Sequence, residues 1–253
     1  MTLTGPLELH VVLLIAAAGF YAGAQNVLAG GGSFITFPAL LLAGLNPLAA
    51  NITSTIALFP GQITSALVGR KLVGDVGRLS FRQMFVISLG GGILGAILLL
   101  NTSAAFFSRL VPWLVLFATS VFAWGSFRSK PLHPTPHIPA LAQAAIQGCI
   151  ATYGGYFGGG IGFLMLAALT VAGQEIRMAT ATKNVLAMAM NASAMAIFVF
   201  SNQVNWPAAL ALGAGGVAGG LCGSWLMYRL PARVMRIFVV LVGVALTIWL
   251  FVR

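Results

Sequence analysis

The sequence predicts an all-α integral membrane protein made of two inverted five-segment repeats. Of its 253 residues, 59% are hydrophobic and only 6% are charged, whereas a soluble domain carries about 25% charged residues. Apolar runs recur along the whole chain, with polar or Gly/Pro positions between them. At about 20 residues per crossing, the chain has room for roughly eight to ten spans and leaves none for a soluble catalytic domain.

Ten apolar runs are predicted to be helices, because a lipid-exposed backbone must satisfy its own hydrogen bonds. Eight runs are long and two are short. A helix of about twelve residues rises about 18 Å, less than the ~30 Å hydrocarbon core, so each short run is predicted to be a half-helix completed by unwound or re-entrant backbone. The runs are 7–28, 33–44 (short), 47–69, 82–100, 108–127, 138–157, 161–172 (short), 177–200, 206–228 and 232–252.

The second half of the chain repeats the first at an offset of 129 residues. Residues 30–34 align with 159–163, and 51–55 align with 180–184. We therefore divide the chain into repeat one, residues 1–128, a Pro-rich linker, 129–137, and repeat two, 138–253. Because each repeat has an odd number of segments, the two repeats are expected to be inverted.

The loop charges predict the orientation in the membrane. If all ten segments cross, the loops after segments three, five and nine share one face and hold most of the Lys and Arg residues, while the other face keeps Glu8, Arg109 and Arg253. Positive loops remain in the cytoplasm, so both termini are expected outside. If the short segments return to their own side, this asymmetry is blurred. The net charge of +10 is interpreted as orientation and contact with anionic lipid, and not as nucleic-acid binding.

Enzyme chemistry is not expected. Cys149 and Cys222 lie in apolar runs without a metal-binding spacing, and His133 and His137 lie in the linker while His10 lies at the start of the first run. No metal or cofactor is expected. The spacing Gly90-x-Gly92-x-x-Gly95 matches a dinucleotide fingerprint, but it has no preceding strand, so we interpret it as helix packing.

Two glycine turns precede the short segments and are candidate anion sites. A helix N-terminus offers free N–H groups and a positive dipole end, and glycine permits close backbone approach. Interrupted helices at corresponding places in two repeats are typical of a transporter's midplane site. Close helix packing is the alternative role for each glycine. The candidates are Gly31, Gly32, Ser33, Gly159 and Gly160.

Polar side chains inside the following long segments complete the candidate site. Polar groups at membrane depth normally face a partner or a cavity, and hydrogen bonds between helices are the alternative. Asn26, just before the first turn, is a further lining candidate, with aromatic anchoring competing for its neighbour Tyr21. The candidates are Asn51, Thr53, Ser54, Thr55 and Gln62 in repeat one and Thr180, Thr182, Lys183, Asn184 and Asn191 in repeat two.

Lys183 is the strongest candidate for anion binding. It lies well inside the eighth segment and has no acidic neighbour on its helix face within one turn. A buried ammonium requires a counter-charge, and an anionic substrate would supply it. Snorkelling towards the interface and an ion pair with Glu175 are the alternatives.

The glycine turn 30–38, the Gly44-Leu-Asn-Pro47 turn and the 50–55 stretch, repeated more weakly in the second half, resemble the TauE/SafE family, the sulfite exporter group. The resemblance covers essentially the whole chain. It implies a secondary transporter in the inner membrane of a prokaryote, which exports a small sulfur-containing anion such as sulfite, sulfoacetate or a related organosulfonate. Its partners would be the anion and the lipid bilayer, and a homodimer is left open. The alternative is a ten-segment carrier of another metabolite or drug.

Overall fold

The protein is all-helical throughout the part described by the computed structural model, residues 8–28, 32–127, 139–227 and 232–252. Ten α-helices are found there, in agreement with the ten predicted segments. The predicted linker, 129–137, lies outside the described residues. The helices are α1 Leu9–Leu28, α2 Ser33–Leu42, α3 Pro47–Gly69, α4 Phe81–Leu100, α5 Ala104–Phe127, α6 Ala140–Tyr156, α7 Ile161–Val171, α8 Ile176–Phe198, α9 Trp206–Met227 and α10 Ala232–Val252.

Several helices have the length and composition of membrane spans. In the described residues, Leu9–Asn26, Phe81–Leu100 and Ala104–Gly125 each meet both requirements. Helices α3 and α8 each have 23 residues and are long enough to cross, but they contain the polar residues of the candidate site. One boundary differs clearly from its prediction: α5 begins at Ala104 instead of residue 108, because the Ser103 hydroxyl accepts a hydrogen bond from the Phe106 amide and caps an earlier turn.

The two predicted short segments are short helices, of 10 residues in α2 and 11 in α7. Both end in the same way. Gly44 and Gly173 adopt positive φ angles of 87° and 94°, and the residues after them, Leu45 and Gln174, donate to carbonyl groups five positions back. This is the Schellman arrangement, in which glycine accepts the left-handed conformation without a Cβ clash. An Ala-Gly pair at equivalent positions therefore ends both helices.

Close glycine contacts hold the outer helices together. Helix α1 packs along α9 and α4 packs along α6. A Cβ on Gly215 would collide with the Ala16 carbonyl, and one on Gly91 would collide with Ala151. The Gly90–Gly95 stretch therefore packs helices, as interpreted from the sequence.

The packing of the helices is reciprocal between the two halves. The contact of α1 with α9 has its counterpart in α6 with α4, and the contact of α3 with α9 has its counterpart in α8 with α4. Helices α3 and α8 also contact each other directly. The short helices α2 and α7 pack against α3 and α8, respectively, so the polar segments of both halves meet at the centre of the molecule.

Candidate functional site

A polar cavity lies where α1, α2 and α3 meet α7 and α8. Its volume is about 80 Å³, well above the ~10–15 Å³ that one water molecule needs. We call it the polar cavity. It is lined by Asn26, Ser33, Thr55, Leu58, Gln62, Ser65, Gly158, Gly160, Ile161, Gly162, Lys183, Asn184, Ala187 and Asn191.

Lys183 supplies the positive charge of the polar cavity. Its side chain is only 7% exposed, and a Cβ built on Gly162 would lie 3.7 Å from its Nζ atom. The ammonium group therefore lies over the first turn of α7. Among the described residues it has no hydrogen-bond or ion-pair partner, and the one ion pair found there joins His10 to Glu8. The alternative pairing with Glu175 is thus not formed, since that residue is exposed at the start of α8.

The N-terminus of α7 adds unpaired backbone donors to the same cavity. Gly160 begins the helix in the left-handed conformation, with φ at 75°. Its carbonyl accepts hydrogen bonds from the amides of Phe163 and Leu164, whereas the earlier amides, those of Ile161 and Gly162, have no partner in the described chain. Both of these residues line the cavity. An anion here would meet the ammonium and the positive end of a helix together.

The hydrogen bond between Gln62 and Asn191 joins α3 to α8 beside this cationic end. Asn191 Nδ2 donates to Gln62 Oε1 over 2.8 Å, and the two residues are equivalent at the repeat offset of 129. Thr55 and Asn184 line the same cavity, and the Thr55 hydroxyl donates to the Asn51 carbonyl over 2.9 Å. None of the described lining residues is acidic, so nothing there competes with an anion for Lys183.

A second, smaller cavity adjoins the polar cavity and shares Ser33 and Thr55 with it. Its volume is about 20 Å³, and we call it the aromatic cavity. Three phenylalanines make up much of its wall. It is lined by Ser33, Phe34, Phe37, Asn51, Ser54, Thr55, Val115, Phe157, Gly159 and Leu246.

Three threonine candidates from the sequence line neither cavity. Thr53 and Thr182 are fully buried: Thr53 accepts a hydrogen bond from the Asn205 amide at 3.1 Å, and Thr182 accepts one from Gln174 at 3.0 Å. Thr180 donates to the Ile176 carbonyl of its own helix. These three hydroxyls are therefore bonded to other protein groups, within α8 or to the residues that precede α8 and α9.

Three further candidates line only the aromatic cavity, and the Gly32 amide is bonded to a side chain. Asn51, Ser54 and Gly159 line only the aromatic cavity, and Ser54 shares a 2.6 Å hydrogen bond with Thr36. The Gly32 amide donates to Asn26 Oδ1 over 2.9 Å, so this donor of the first glycine turn already has a partner. Gly31 lies outside the described residues.

Ser65 lines the polar cavity and was missed in the sequence, and Gly162, the last residue of the second glycine turn, lines it as well. Ser65 could have been found, because it lies three positions after Gln62 and ten after Thr55, on the same face of α3. Gly162 carries no side-chain signal. Its role comes from its free amide and from the space that its missing Cβ leaves beside Lys183.

A helical membrane protein with a buried polar cavity between interrupted and long helices has the arrangement of a membrane transporter. The chain belongs to the TauE/SafE family, since the family description "Sulfite exporter TauE/SafE" matches residues 15–250. It is therefore a multi-pass membrane transporter and not an enzyme, as the resemblance implied.

Relatives of similar length carry the same general description. The chain is 29% identical over 244 residues to the probable membrane transporter protein ORF9 of Sinorhizobium sp, covering 96% of this chain and 93% of that protein. It is 25% identical over 241 residues to a probable membrane transporter protein of Haemophilus influenzae, covering 94% of each. It is 27% identical over 254 residues to the probable membrane transporter protein YfcA of Escherichia coli strain K12, covering 97% and 90%.

Proposed function

We propose that this protein is a secondary transporter that exports a small sulfur-containing anion, such as sulfite, sulfoacetate or a related organosulfonate, from a prokaryotic cell. The observation that carries the proposal is Lys183, a buried ammonium without a protein counter-charge in the described residues. An isolated buried charge is strongly unfavourable, so a negatively charged passenger is its natural partner. The sulfur chemistry is taken from the family description.

The proposed mechanism is alternating access around the polar cavity, in two inverted repeats with both termini outside. The reciprocal helix contacts support this arrangement. So does the hydrogen bond between Gln62 and Asn191, because equivalent residues of two repeats meet where a pseudo-two-fold axis passes. Transporters built this way hold their substrate where the repeats meet.

The transport requires no nucleotide in this proposal. The sequence has no Walker motif, and it has only three acidic residues, which is few for a carboxylate proton relay. An anion that leaves a cell with a negative interior moves down the electrical gradient. The membrane potential itself is therefore a sufficient driving force.

Replacement of Lys183 by Met tests the proposal, because Met keeps the length of the side chain and removes the charge. We expect sulfite flux in proteoliposomes to fall about tenfold to a hundredfold, since hydrogen bonds to a charged group contribute about 1.5–3 kcal/mol. The matched control is Lys71→Met, which removes a charge from an exposed position after α3. Size-exclusion profiles would verify that both variants fold.

Unchanged sulfite flux in Lys183→Met, with both variants folded, would contradict the anion site. A thermal-shift screen of the wild type separates the competing carriers: sulfite, sulfoacetate and other sulfonates should stabilise the protein, since a bound ligand stabilises the native state. Stabilisation by cations or neutral metabolites alone would favour a carrier of another class.

A further inference from the structure

The polar cavity and the aromatic cavity differ sharply in what they offer a bound molecule. The polar cavity holds Lys183 and the free amides of α7, whereas the aromatic cavity has no charged lining residue and includes Phe34, Phe37 and Phe157. The Phe37 and Phe157 rings pack edge to face with their centroids 5.7 Å apart. Ser33 and Thr55 line both cavities, so the two spaces adjoin at these residues.

The polar groups of the aromatic cavity are largely committed to protein partners. Asn51 Nδ2 donates to the Tyr156 carbonyl over 3.0 Å, and the Ser54 hydroxyl is bonded to Thr36. The Thr55 hydroxyl donates to the Asn51 carbonyl. An anionic oxygen placed there would meet no cation, only the Ser33 and Phe34 amides at the start of α2, which have no partner among the described residues. A hydrocarbon group would meet aromatic and aliphatic carbon.

The polar cavity supplies one full positive charge and about half of another. Lys183 is its one cation among the described lining residues, and a helix N-terminus contributes roughly half an elementary charge. A dianion would leave substantial charge uncompensated at membrane depth, which is unfavourable. The charge of the site therefore matches a monoanion.

We propose that the preferred passenger is an organic monoanion, with its sulfonate group beside Lys183 and the α7 N-terminus and a short hydrocarbon group in the aromatic cavity. This inference rests on the proposed function and selects within it: short-chain alkanesulfonates bind better than dianions such as sulfate or sulfoacetate. The volume of about 20 Å³ admits about one or two carbon groups, so the preference ends at a short chain length.

The test is competition against labelled sulfite flux in proteoliposomes, with methane-, ethane-, propane- and butanesulfonate and with sulfate and sulfoacetate. In the wild type, methane- and ethanesulfonate should compete at concentrations at least about tenfold below butanesulfonate and below both dianions, since one methylene in an apolar pocket is worth about 10–200-fold. Dianions that compete as well as methanesulfonate would overturn the charge argument.

Phe37→Leu enlarges the aromatic cavity and should move the chain-length limit. Butanesulfonate should gain about tenfold or more relative to methanesulfonate. The matched control is Phe198→Leu, which shortens a fully buried phenylalanine of the core that lines neither cavity. The control should leave the ranking of chain lengths unchanged. Phe157→Leu is a second variant on the same wall, which keeps the test available if Phe37→Leu does not fold.

If Phe37→Leu and Phe157→Leu change the competition by sulfonates of every chain length equally, the inference is overturned. The aromatic cavity would then affect the rate of transport and not the preference among chain lengths. Failure of the proposed function is recognised separately. In that case sulfite flux is absent or insensitive to Lys183→Met. Flux that depends on Lys183 but ignores chain length removes only the inference made in this subsection.

Discussion

Gly160, the residue before α7, adopts a left-handed backbone conformation at the helix N-terminus that lines the polar cavity with Lys183. Its φ angle is 75°, and an added Cβ would lie 3.2 Å from the Ala118 carbonyl. A left-handed conformation is costly for residues other than glycine, by about 1–2 kcal/mol. A side chain at position 160 would therefore meet both backbone strain and limited space, at the part of the polar cavity that holds Lys183.

Gly160→Ala should lower both stability and transport. The control is Gly173→Ala at the other end of α7, where φ is 94° but a Cβ would meet nothing within 4 Å. Both variants should lose about 1–2 kcal/mol of stability in thermal unfolding. Only Gly160→Ala should also reduce sulfite flux per folded protein. Equal flux in the two variants would show that the geometry of the α7 N-terminus is not required for transport.

At the scale of single residues, the sequence showed which polar side chains lie in the helices, but it did not show whether each one faces the cavity or a protein partner. Lys183, Asn184 and Asn191 all line the polar cavity, whereas Thr182, the immediate neighbour of Lys183, is bonded to Gln174. Adjacent positions on a helix point about 100° apart. The choice between cavity and protein partner therefore depends on how the helix is rotated against its neighbours.

At the scale of elements, the crossing of α1 and α9 depends on glycines at the contact. Gly219 faces the Phe20 carbonyl so closely that a Cβ would collide with backbone atoms, whereas its neighbour Gly220 has open space around it. The two adjacent glycines of α9 thus have opposite environments. Substitutions at these two positions therefore distinguish the contribution of glycine to helix packing from its effect on helix propensity.

Gly219→Ala should destabilise the protein by about 1–3 kcal/mol, as expected for an overpacked contact that forces backbone to move. Gly220→Ala should be neutral or stabilising by up to about 1 kcal/mol, because alanine favours a helix more than glycine does. Thermal unfolding of the purified variants in the same detergent compares them directly. A destabilisation of similar size in both would argue against the close α1–α9 contact.

The C-terminal ends of α2 and α7 were predictable from the sequence, whereas contacts between distant segments were not. The positive φ angles of Gly44 and Gly173 follow from the preference for glycine at a helix C-terminus. The two glycines also occupy equivalent positions in the repeat alignment. The bonds from Asn205 to Thr53 and from Gln174 to the Gly74 carbonyl join segments about 100 residues or more apart. Such contacts leave no periodic signal in one sequence.

For the whole molecule, the proposed inverted arrangement predicts on which side of the membrane each loop lies. The loops after α3 and α8 are equivalent in the two repeats, so inversion places them on opposite faces of the membrane. Arg78 lies in the first loop and Asn202 in the second, and both are exposed. In the proposed orientation, the positively charged first loop lies in the cytoplasm.

Single-cysteine variants test this arrangement in intact cells, in a background without Cys149 and Cys222. A membrane-impermeant maleimide should label Asn202→Cys directly and Arg78→Cys only after the membrane is permeabilised. Arg253→Cys should behave like Asn202→Cys, since the C-terminus is expected outside. Labelling of Arg78→Cys and Asn202→Cys from the same side would contradict the inverted repeats.

The sequence by itself determined the membrane solvent, the ten helices, the two short helices and the family, because hydropathy and glycine punctuation act locally along the chain. Only the tertiary structure decided that Lys183 lies over the N-terminus of α7, that Ser65 and Gly162 join it, and that Thr53 and Thr182 bond to distant segments instead. The physical reason is that the direction of a side chain is set by the rotation of its helix. That rotation follows from close packing against helices far away in the sequence.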